Sequence, residues 1–143
     1  MANIVLVSGS VELPARLLDT PTARMIARAL PLYLTAIFWG RMVQLETPLE
    51  AYREPGAVQI AQLGQILWSP DEETILIPYG FTPLTKHHEI RLRTPSNVWA
   101  QAIGDVQLLR EVHDGAQVTI ARAGDSRAKT VATPSRPAGR WRG

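Results

Sequence analysis

Short apolar segments separated by tight turns are the feature that most restricts how this chain of 143 residues can fold. The clearest examples lie between Gly64 and Val98, where the apolar segment 75–77 follows an acidic turn at 71–73 and precedes a turn rich in proline and threonine. Apolar segments of about four to eight residues bounded by turn-forming residues are typical of β-strands. The pattern therefore predicts a protein built mainly of short strands.

The same pattern of short apolar segments separated by turn-forming residues recurs along most of the chain. The candidate strands are 4–8, 11–18, 32–39, 42–45, 58–61, 65–68, 74–79, 98–103 and 118–122. Gly9-Ser10 suits a tight hairpin turn between the first two. About eight short strands fit a closed barrel or a sandwich, and closure has the advantage of removing exposed strand edges.

One helix is clearly signalled. Thr20 can cap a helix with its hydroxyl, and the fixed φ and missing N–H of Pro21 suit the first helical position. Apolar residues recur at helical spacing up to Leu30, where Pro31 ends the helix. A second, short helix is predicted over 105–112. The side chains expected to plug one opening of the barrel are Met25, Ile26 and Leu30.

Charge divides the chain into two parts. Residues 1–123 carry ten basic and twelve acidic residues, whereas residues 124–143 carry five basic residues and one acidic residue. The second part contains Gly and Pro and no sustained apolar period, so we expect a folded domain over 1–123 and an extended or disordered basic tail. The slightly acidic body argues against a nucleic-acid partner. The tail could instead dock in the cleft of a second copy and form a homodimer.

Composition excludes several classes of protein. The chain has no cysteine, which removes disulfides, thiolate nucleophiles and cysteine metal sites. No segment approaches the roughly 18 apolar residues of a membrane span, and no basic segment precedes an apolar one at the N-terminus. We therefore expect no membrane partner and, by default, a cytoplasmic protein.

No familiar catalytic or cofactor motif is present. The sequence lacks a nucleophile elbow, a Walker loop and a dinucleotide-binding glycine motif. His87-His88-Glu89 is the one cluster of metal-ligand residue types, but adjacent side chains on extended backbone point in opposite directions. We therefore expect a solvated polar loop there, no metal and no cofactor.

The order of several short motifs over residues 3 to about 122 resembles the prokaryotic cyclophilin-like proteins. The motifs that carry this resemblance are Asp19, Pro21-Thr22-Ala23, Leu30-Pro31, Trp39-Gly40, Gly80-Phe81-Thr82-Pro83 and Thr94-Pro95-Ser96-Asn97-Val98. The resemblance implies a mainly β fold: a closed cyclophilin-like barrel of about eight strands with one or two short helices. It also implies a cleft formed between loops.

The resemblance brings the aromatic residues at strand ends together with nearby polar groups. The candidate ligand-binding residues are Arg41, Trp68, Tyr79, Phe81, Thr82, Ser96, Asn97 and Trp99. Trp68 and Tyr79 flank turns and are expected at a solvent-exposed rim, although any single aromatic residue is more often part of a core. Thr82, Ser96 and Asn97 would orient a polar ligand, and Arg41 would supply a charge.

Two classes of function follow. The first is a binding protein that takes a peptide segment or a small molecule in an aromatic cleft. The alternative is a peptidyl-prolyl isomerase-like or hydrolytic enzyme with an atypical site. The Arg-Phe and Gln-Gly-Gly-Asp signature of true cyclophilins is absent, since Arg41 precedes Met42 and Val43, and whether any catalysis occurs is left open.

Overall fold

The computed structural model describes residues 3–125, so the predicted basic tail lies outside the described residues except for its first two. Nine strands, one α-helix and one 3-10 helix make up this part of the chain. In chain order they are β1 (Asn3–Ser8), β2 (Val11–Leu17), α1 (Pro21–Ala29), β3 (Leu32–Phe38), β4 (Met42–Glu46), β5 (Val58–Ala61), β6 (Gln65–Ser69), β7 (Thr74–Pro78), β8 (Ile90–Ala102), the 3-10 helix (Val106–Glu111) and β9 (Gln117–Arg122).

Eight of the strands close into a ring. The order of hydrogen-bonded neighbours is β2-β1-β9-β3-β4-β7-β6-β8, and β8 pairs again with β2. The closing ladder is antiparallel and joins Ala15 to Ala102 and Leu17 to Ala100. The ninth strand, β5, pairs with the first half of β8 outside the ring. The predicted mainly β fold of about eight strands, with one or two short helices, is confirmed.

Side chains that alternate along the strands fill the interior of the ring. In β2, for example, Val11, Leu13, Ala15 and Leu17 are buried while the residues between them are exposed. The helix α1 covers one end of the ring and buries Ala23 and Ile26 in the same core cluster. Val106 and Leu109 of the 3-10 helix join that cluster. We call the two ends of the ring the α1 end and the 3-10 end.

The helix α1 begins as the sequence predicts. The Thr20 hydroxyl accepts a hydrogen bond from the amide of Ala23 at 3.1 Å, and Pro21 occupies the first helical position. Ile26 is completely buried, whereas Met25 and Leu30 are partly buried against the same core. Among residues 3–125, no helix is long and apolar enough to cross a membrane.

The strand β8 is longer than its apolar pattern predicts. Its first half, from Ile90, leaves the ring and lies with β5 over the outer faces of β6 and β7. Ile90 and Leu92 are buried under this outer layer, and Arg91 and Arg93 alternate with them at the surface. The alternation from Ile90 to Arg93 is typical of a half-buried strand, but residues 94–97 contain a proline and turn-forming residues and separate it from the apolar segment at 98–103.

The turn at Gly40 allows two segments to approach closely. Gly40 has a φ of +60°, and a Cβ atom placed there would lie 2.8 Å from Cδ of Pro83 and 2.9 Å from the carbonyl oxygen of Phe81. Gly9 has nearly the same φ, +59°, with open space around it. Comparing the same substitution at the two glycines therefore separates the effect of backbone strain from that of a steric clash.

We expect Gly40→Ala to lower the free energy of unfolding by about 2 kcal/mol more than Gly9→Ala, because only the first substitution adds a clash to the strain. Chemical denaturation of the two variants and the parent measures this difference. Equal losses in the two variants would show that the 79–85 turn moves away from Gly40 without cost.

Candidate functional site

The eight predicted site residues fall into two groups rather than into one cleft. Trp68, Ser96, Asn97 and Trp99 belong to β6 and β8 toward the α1 end. Arg41, Tyr79, Phe81 and Thr82 lie in the turns before β4 and after β7, toward the 3-10 end. The strand register separates the groups, because the start of β4 and the end of β7 lie at the end of the ring opposite α1. Whether any of the eight binds a ligand stays a prediction.

The group toward the 3-10 end is a pair of turns held together mainly by backbone hydrogen bonds. The amide of Tyr79 donates to the carbonyl of Arg41 at 2.8 Å, and the amide of Arg41 donates to the carbonyl of Phe81 at 3.0 Å. Thr82 is buried, and its hydroxyl donates to the carbonyl of Arg91. Tyr79 packs edge-on against Phe38, whereas the side chains of Arg41 and Phe81 are exposed.

The two tryptophans of the other group are fully buried. Trp68 and Trp99 each have an exposed fraction of 0% and pack in the interior core cluster. The prediction that Trp68 lies at a solvent-exposed rim is therefore wrong. The reason is its register: Trp68 is paired with Asn97 across β6 and β8, and both side chains face the interior.

Neither indole N–H has a hydrogen-bond acceptor. The Nε1 atoms of Trp68 and Trp99 are among the few buried side-chain polar atoms without a partner in the described residues. The carbonyl of Trp99 accepts from the amide of Leu18 at 3.0 Å, which places this part of β8 beside the segment that leads into α1. Two buried donors thus remain unpaired near the α1 end.

Asn97 is the centre of a buried hydrogen-bond network at the same end. Its side chain is completely buried. Its Nδ2 donates to Oγ1 of Thr22 at 2.9 Å and to the carbonyl of Tyr52 at 2.8 Å, and its Oδ1 accepts from the amide of Glu54 at 2.9 Å. Asn97 therefore joins α1, β8 and the segment between β4 and β5.

Glu54 completes the network by placing a carboxylate at the start of α1. Its Oε2 accepts from the amide of Thr22 at 2.9 Å and also from the Thr22 hydroxyl. The first amides of a helix have no partner inside the helix. In α1 the amide of Ala23 is bonded to the Thr20 hydroxyl, so Glu54 supplies the acceptor that the amide of Thr22 needs.

These contacts fasten the segment 47–57, which we call the lid, over the α1 end. Leu49 and Ala51 of the lid pack partly buried against the interior core. Tyr52, by contrast, is 93% exposed although its carbonyl is held by Asn97. A surface pocket of about 350 Å³, lined by Glu50, Ala51, Tyr52 and Glu73, lies beside the lid. Residues 49–52 form neither a helix nor a strand.

The sequence analysis named Asn97 and both tryptophans as candidate residues but did not name Thr22, Tyr52 and Glu54, which lie at the same end of the ring. Thr22 was only part of a family motif, and the other two lie between the predicted strands 42–45 and 58–61. The signal that could have found them is weak: one glutamate followed by Pro55 and Gly56, and one helix start without an acidic residue in its first turn.

A second polar pocket, of about 140 Å³, lies on the outer face of the ring. Its cation, Arg93, donates from Nε to Glu72 at 2.8 Å and from Nη2 to Gln44, and its guanidinium stacks 4.2 Å from the ring centre of Trp39. The charge of Arg93 is therefore already matched by a carboxylate within the protein. The arrangement holds the first half of β8 against the ring.

The histidine cluster forms an exposed turn. His87 and His88 are exposed and both have left-handed backbone, with φ of 55° and 63°. His88 lies against Phe81, and Glu89 is paired with Arg91. Among residues 3–125, no three histidine, aspartate or glutamate side chains are grouped in a way that could hold a metal ion.

The fold and sequence together define the class of protein. The chain belongs to the cyclophilin-like family, since the family model described as "Cyclophilin-like" matches residues 2–121. A solution structure of the hypothetical protein AF2241 from Archaeoglobus fulgidus is similar, with 26% sequence identity and a TM-score of 0.73. The match covers 85% of this chain and 95% of the archaeal protein.

A second solved structure shares the fold at lower identity. McbB in complex with tryptophan is 14% identical, with a TM-score of 0.63, and the match covers 86% of this chain and 45% of McbB. Among proteins with curated descriptions, none matches this chain.

Proposed function

We propose that this protein binds a small molecule at the α1 end of the ring, between the interior tryptophans and the lid. The observation that supports this proposal is the pair of buried indole N–H groups, on Trp68 and Trp99, that have no acceptor. A ligand that enters here brings the acceptor that the protein itself does not supply. The expected ligand therefore carries a polar acceptor atom on an otherwise apolar body.

The energetics favour an acceptor for these two N–H groups that the described residues do not supply. A buried donor without a partner costs about 1–3 kcal/mol, so native proteins leave few of them. Two such donors on the same interior wall double that cost. Replacing either tryptophan by phenylalanine removes the donor and keeps an aromatic ring, so their presence is better explained by an acceptor that arrives with a ligand or with buried water.

The covering of this end of the ring favours a small molecule over a peptide segment. The lid and α1 both lie over it, and the surface pocket beside the lid is lined by Glu50, Ala51, Tyr52 and Glu73 and by neither tryptophan. A peptide would need an open groove along the surface. McbB has been solved with tryptophan bound, and for that reason tryptophan is a suitable first probe.

The alternative of an isomerase-like or hydrolytic enzyme gains no support from Arg41, the candidate ligand-binding residue that was compared with the arginine of true cyclophilins. Arg41 is exposed, and it lies toward the 3-10 end, away from Trp68 and Asn97. A charge in that place cannot act on a ligand held at the α1 end.

A thermal-shift screen followed by calorimetry tests the proposal. The screen uses tryptophan, the other amino acids, and small aromatic acids with their amides, because a ligand at 100 times its Kd stabilises a protein by about 2.7 kcal/mol. For the tightest binder we expect Trp68→Phe and Trp99→Phe each to weaken binding by about tenfold, the worth of one hydrogen bond. The matched control is Trp39→Phe, which changes a tryptophan on the outer face.

The proposal would be contradicted by two results. One is a screen in which no compound binds. The other is a ligand whose affinity falls in Trp39→Phe and stays at the parent value in Trp68→Phe and Trp99→Phe.

A further inference from the structure

We propose that the start of α1 is a binding site for the carboxylate of a small ligand, and that Glu54 of the lid occupies this site when no ligand is bound. The inference rests on the proposed function, because it names the chemical class of the ligand and the group that recognises it. The recognising atoms are the amide and hydroxyl of Thr22, which we call the carboxylate site, with Asn97 holding the hydroxyl in place.

The geometry of the carboxylate site is that of a preformed anion receptor. Thr22 donates two hydrogen bonds to one carboxylate oxygen, and its side chain is 1% exposed. Nδ2 of Asn97 donates to Oγ1 of Thr22, so the Thr22 hydroxyl proton is directed outward toward the acceptor. The site also lies at the N-terminus of a nine-residue helix, where the aligned peptide dipoles favour a negative charge.

The occupant belongs to a segment outside the strands of the ring. The lid forms no strand or helix, and Pro48 and Pro55 lack the amide N–H that strand pairing needs. Besides the bonds of Glu54 to Thr22, it is held by the bonds of Asn97 to Tyr52 and Glu54 and of Thr47 to the carbonyl of Glu73. The ion pair of 3.6 Å between Arg53 and Asp71 is about half exposed and contributes little. A small number of polar contacts therefore fastens the lid, and those of Glu54 to Thr22 are among them.

The unpaired tryptophans are the second observation that points to a ligand here. Trp68 is the cross-strand partner of Asn97, and both face the interior on which the lid rests. A molecule whose carboxylate replaces that of Glu54 would have its apolar part directed toward the place where Leu49 and Ala51 now contact the core. Both indole N–H groups are buried and have no acceptor within the described residues.

The charge of the pocket beside the lid bears on the replacement of the Glu54 carboxylate by that of a ligand. The pocket beside the lid is lined by the carboxylates of Glu50 and Glu73, which repel an approaching anion. Opening of the lid carries Glu50 away together with Glu54, because both belong to the segment 47–57. The repulsion of an anionic ligand is therefore weaker in the open state, in which Glu73 remains.

Chemical rescue of Glu54→Ala tests the carboxylate site alone. We expect this variant to melt about 3 to 6 °C below the parent in sodium chloride, because the amide of Thr22 loses its acceptor. Sodium acetate at equal ionic strength should recover at least half of that loss in melting temperature. It should change the melting temperature of the parent by less than about 1 °C. Acetamide should not rescue. Glu12→Ala, an exposed carboxylate of β2, is the control variant, and acetate should not change its melting temperature.

The second arm measures the binding of phenylacetate and of its neutral analogue phenylacetamide. We expect Glu54→Ala to bind phenylacetate about tenfold more tightly than the parent does, because a tethered competitor has been removed. Its affinity for phenylacetamide should stay within about twofold of the parent value.

Each contrary outcome has a distinct meaning. Equal effects of acetate and chloride on Glu54→Ala would overturn the carboxylate site. If phenylacetamide binds as tightly as phenylacetate, and both depend on Trp68, the carboxylate inference falls and the proposed function stands. If acetate rescues the variant but neither aromatic probe binds, the start of α1 has only a structural role and the carboxylate inference is overturned, whereas the proposed function is decided by the screen described above.

Discussion

Ile26→Asp should prevent the protein from folding. Ile26 is completely buried in the interior cluster at the α1 end, and no cation of the described core is positioned to pair with a carboxylate there. An unpaired buried charge costs several kcal/mol, which is comparable with the whole stability of a typical domain of about 5–15 kcal/mol. Circular dichroism and a thermal melt of the purified variant would show the loss of the cooperative transition.

Two further variants separate charge from packing. Ile26→Ala should fold and lose about 2–5 kcal/mol, as expected for deletion of a buried aliphatic side chain. Arg28→Ala, on the exposed face of the same helix, should change stability by no more than about 0.5 kcal/mol. A melt of Ile26→Asp that matches the parent would show that α1 does not close the ring.

Asn97→Leu should release the lid while the ring stays folded. The substitution keeps the branched shape of the side chain but leaves the carbonyl of Tyr52 and the amide of Glu54 without their partners. Because stranded buried polar groups each cost about 1–3 kcal/mol, we expect a total loss of about 2–4 kcal/mol. Hydrogen exchange at the amides of Glu54 and Thr22 should accelerate by about 100-fold, whereas the amides of β1 and β9 change far less.

The matched control is another side-chain amide that bonds to backbone carbonyls. Gln59 donates to the carbonyls of Leu92 and Arg93 at 3.1 and 3.3 Å, but it is exposed to solvent. Gln59→Leu should therefore cost less than about 1 kcal/mol and leave the lid protected. Unchanged exchange at Glu54 in Asn97→Leu would mean that Asn97 does not fasten the lid.

Local signals allowed α1 to be predicted closely from the sequence. Thr20 and Pro21 act on the amides next to them in the chain, and the apolar stripe that ends near Leu30 reports directly on the face that is buried. The short strands were predictable for the same reason, since Gly and Pro mark turns through their own backbone preferences. Structure that is determined by residues close together in the sequence can therefore be predicted from a short segment of that sequence.

The burial of β6 could not be inferred in this way. All of its residues from Ile66 to Ser69 are buried, because β5 and the first half of β8 cover its outer face while the ring interior covers the other. A strand buried on both faces has no alternation, so nothing in its pattern shows which side Trp68 faces. Its pairing with Asn97 decides that, and pairing is a property of the whole fold.

The candidate site depends on contacts between distant parts of the chain. Glu54 reaches Thr22 across 32 positions, and Asn97 reaches Glu54 across 43 positions. Neither spacing produces a periodic signal. The resemblance to the cyclophilin-like family placed Asn97 in a motif and so predicted a polar group there, but its bond to the backbone amide of Glu54 became visible only with the three-dimensional structure.

The indole region of a ¹H–¹⁵N correlation spectrum is the most direct test of a ligand site at the α1 end. The chain contains four tryptophans, so the signals of Trp68, Trp99 and Trp39 can be assigned from the single phenylalanine variants. Saturation with the tightest ligand from the screen should shift the Trp68 and Trp99 signals, as each N–H gains an acceptor, and leave Trp39 in place. A ligand that shifts Trp39 and leaves Trp68 and Trp99 unmoved would contradict the account.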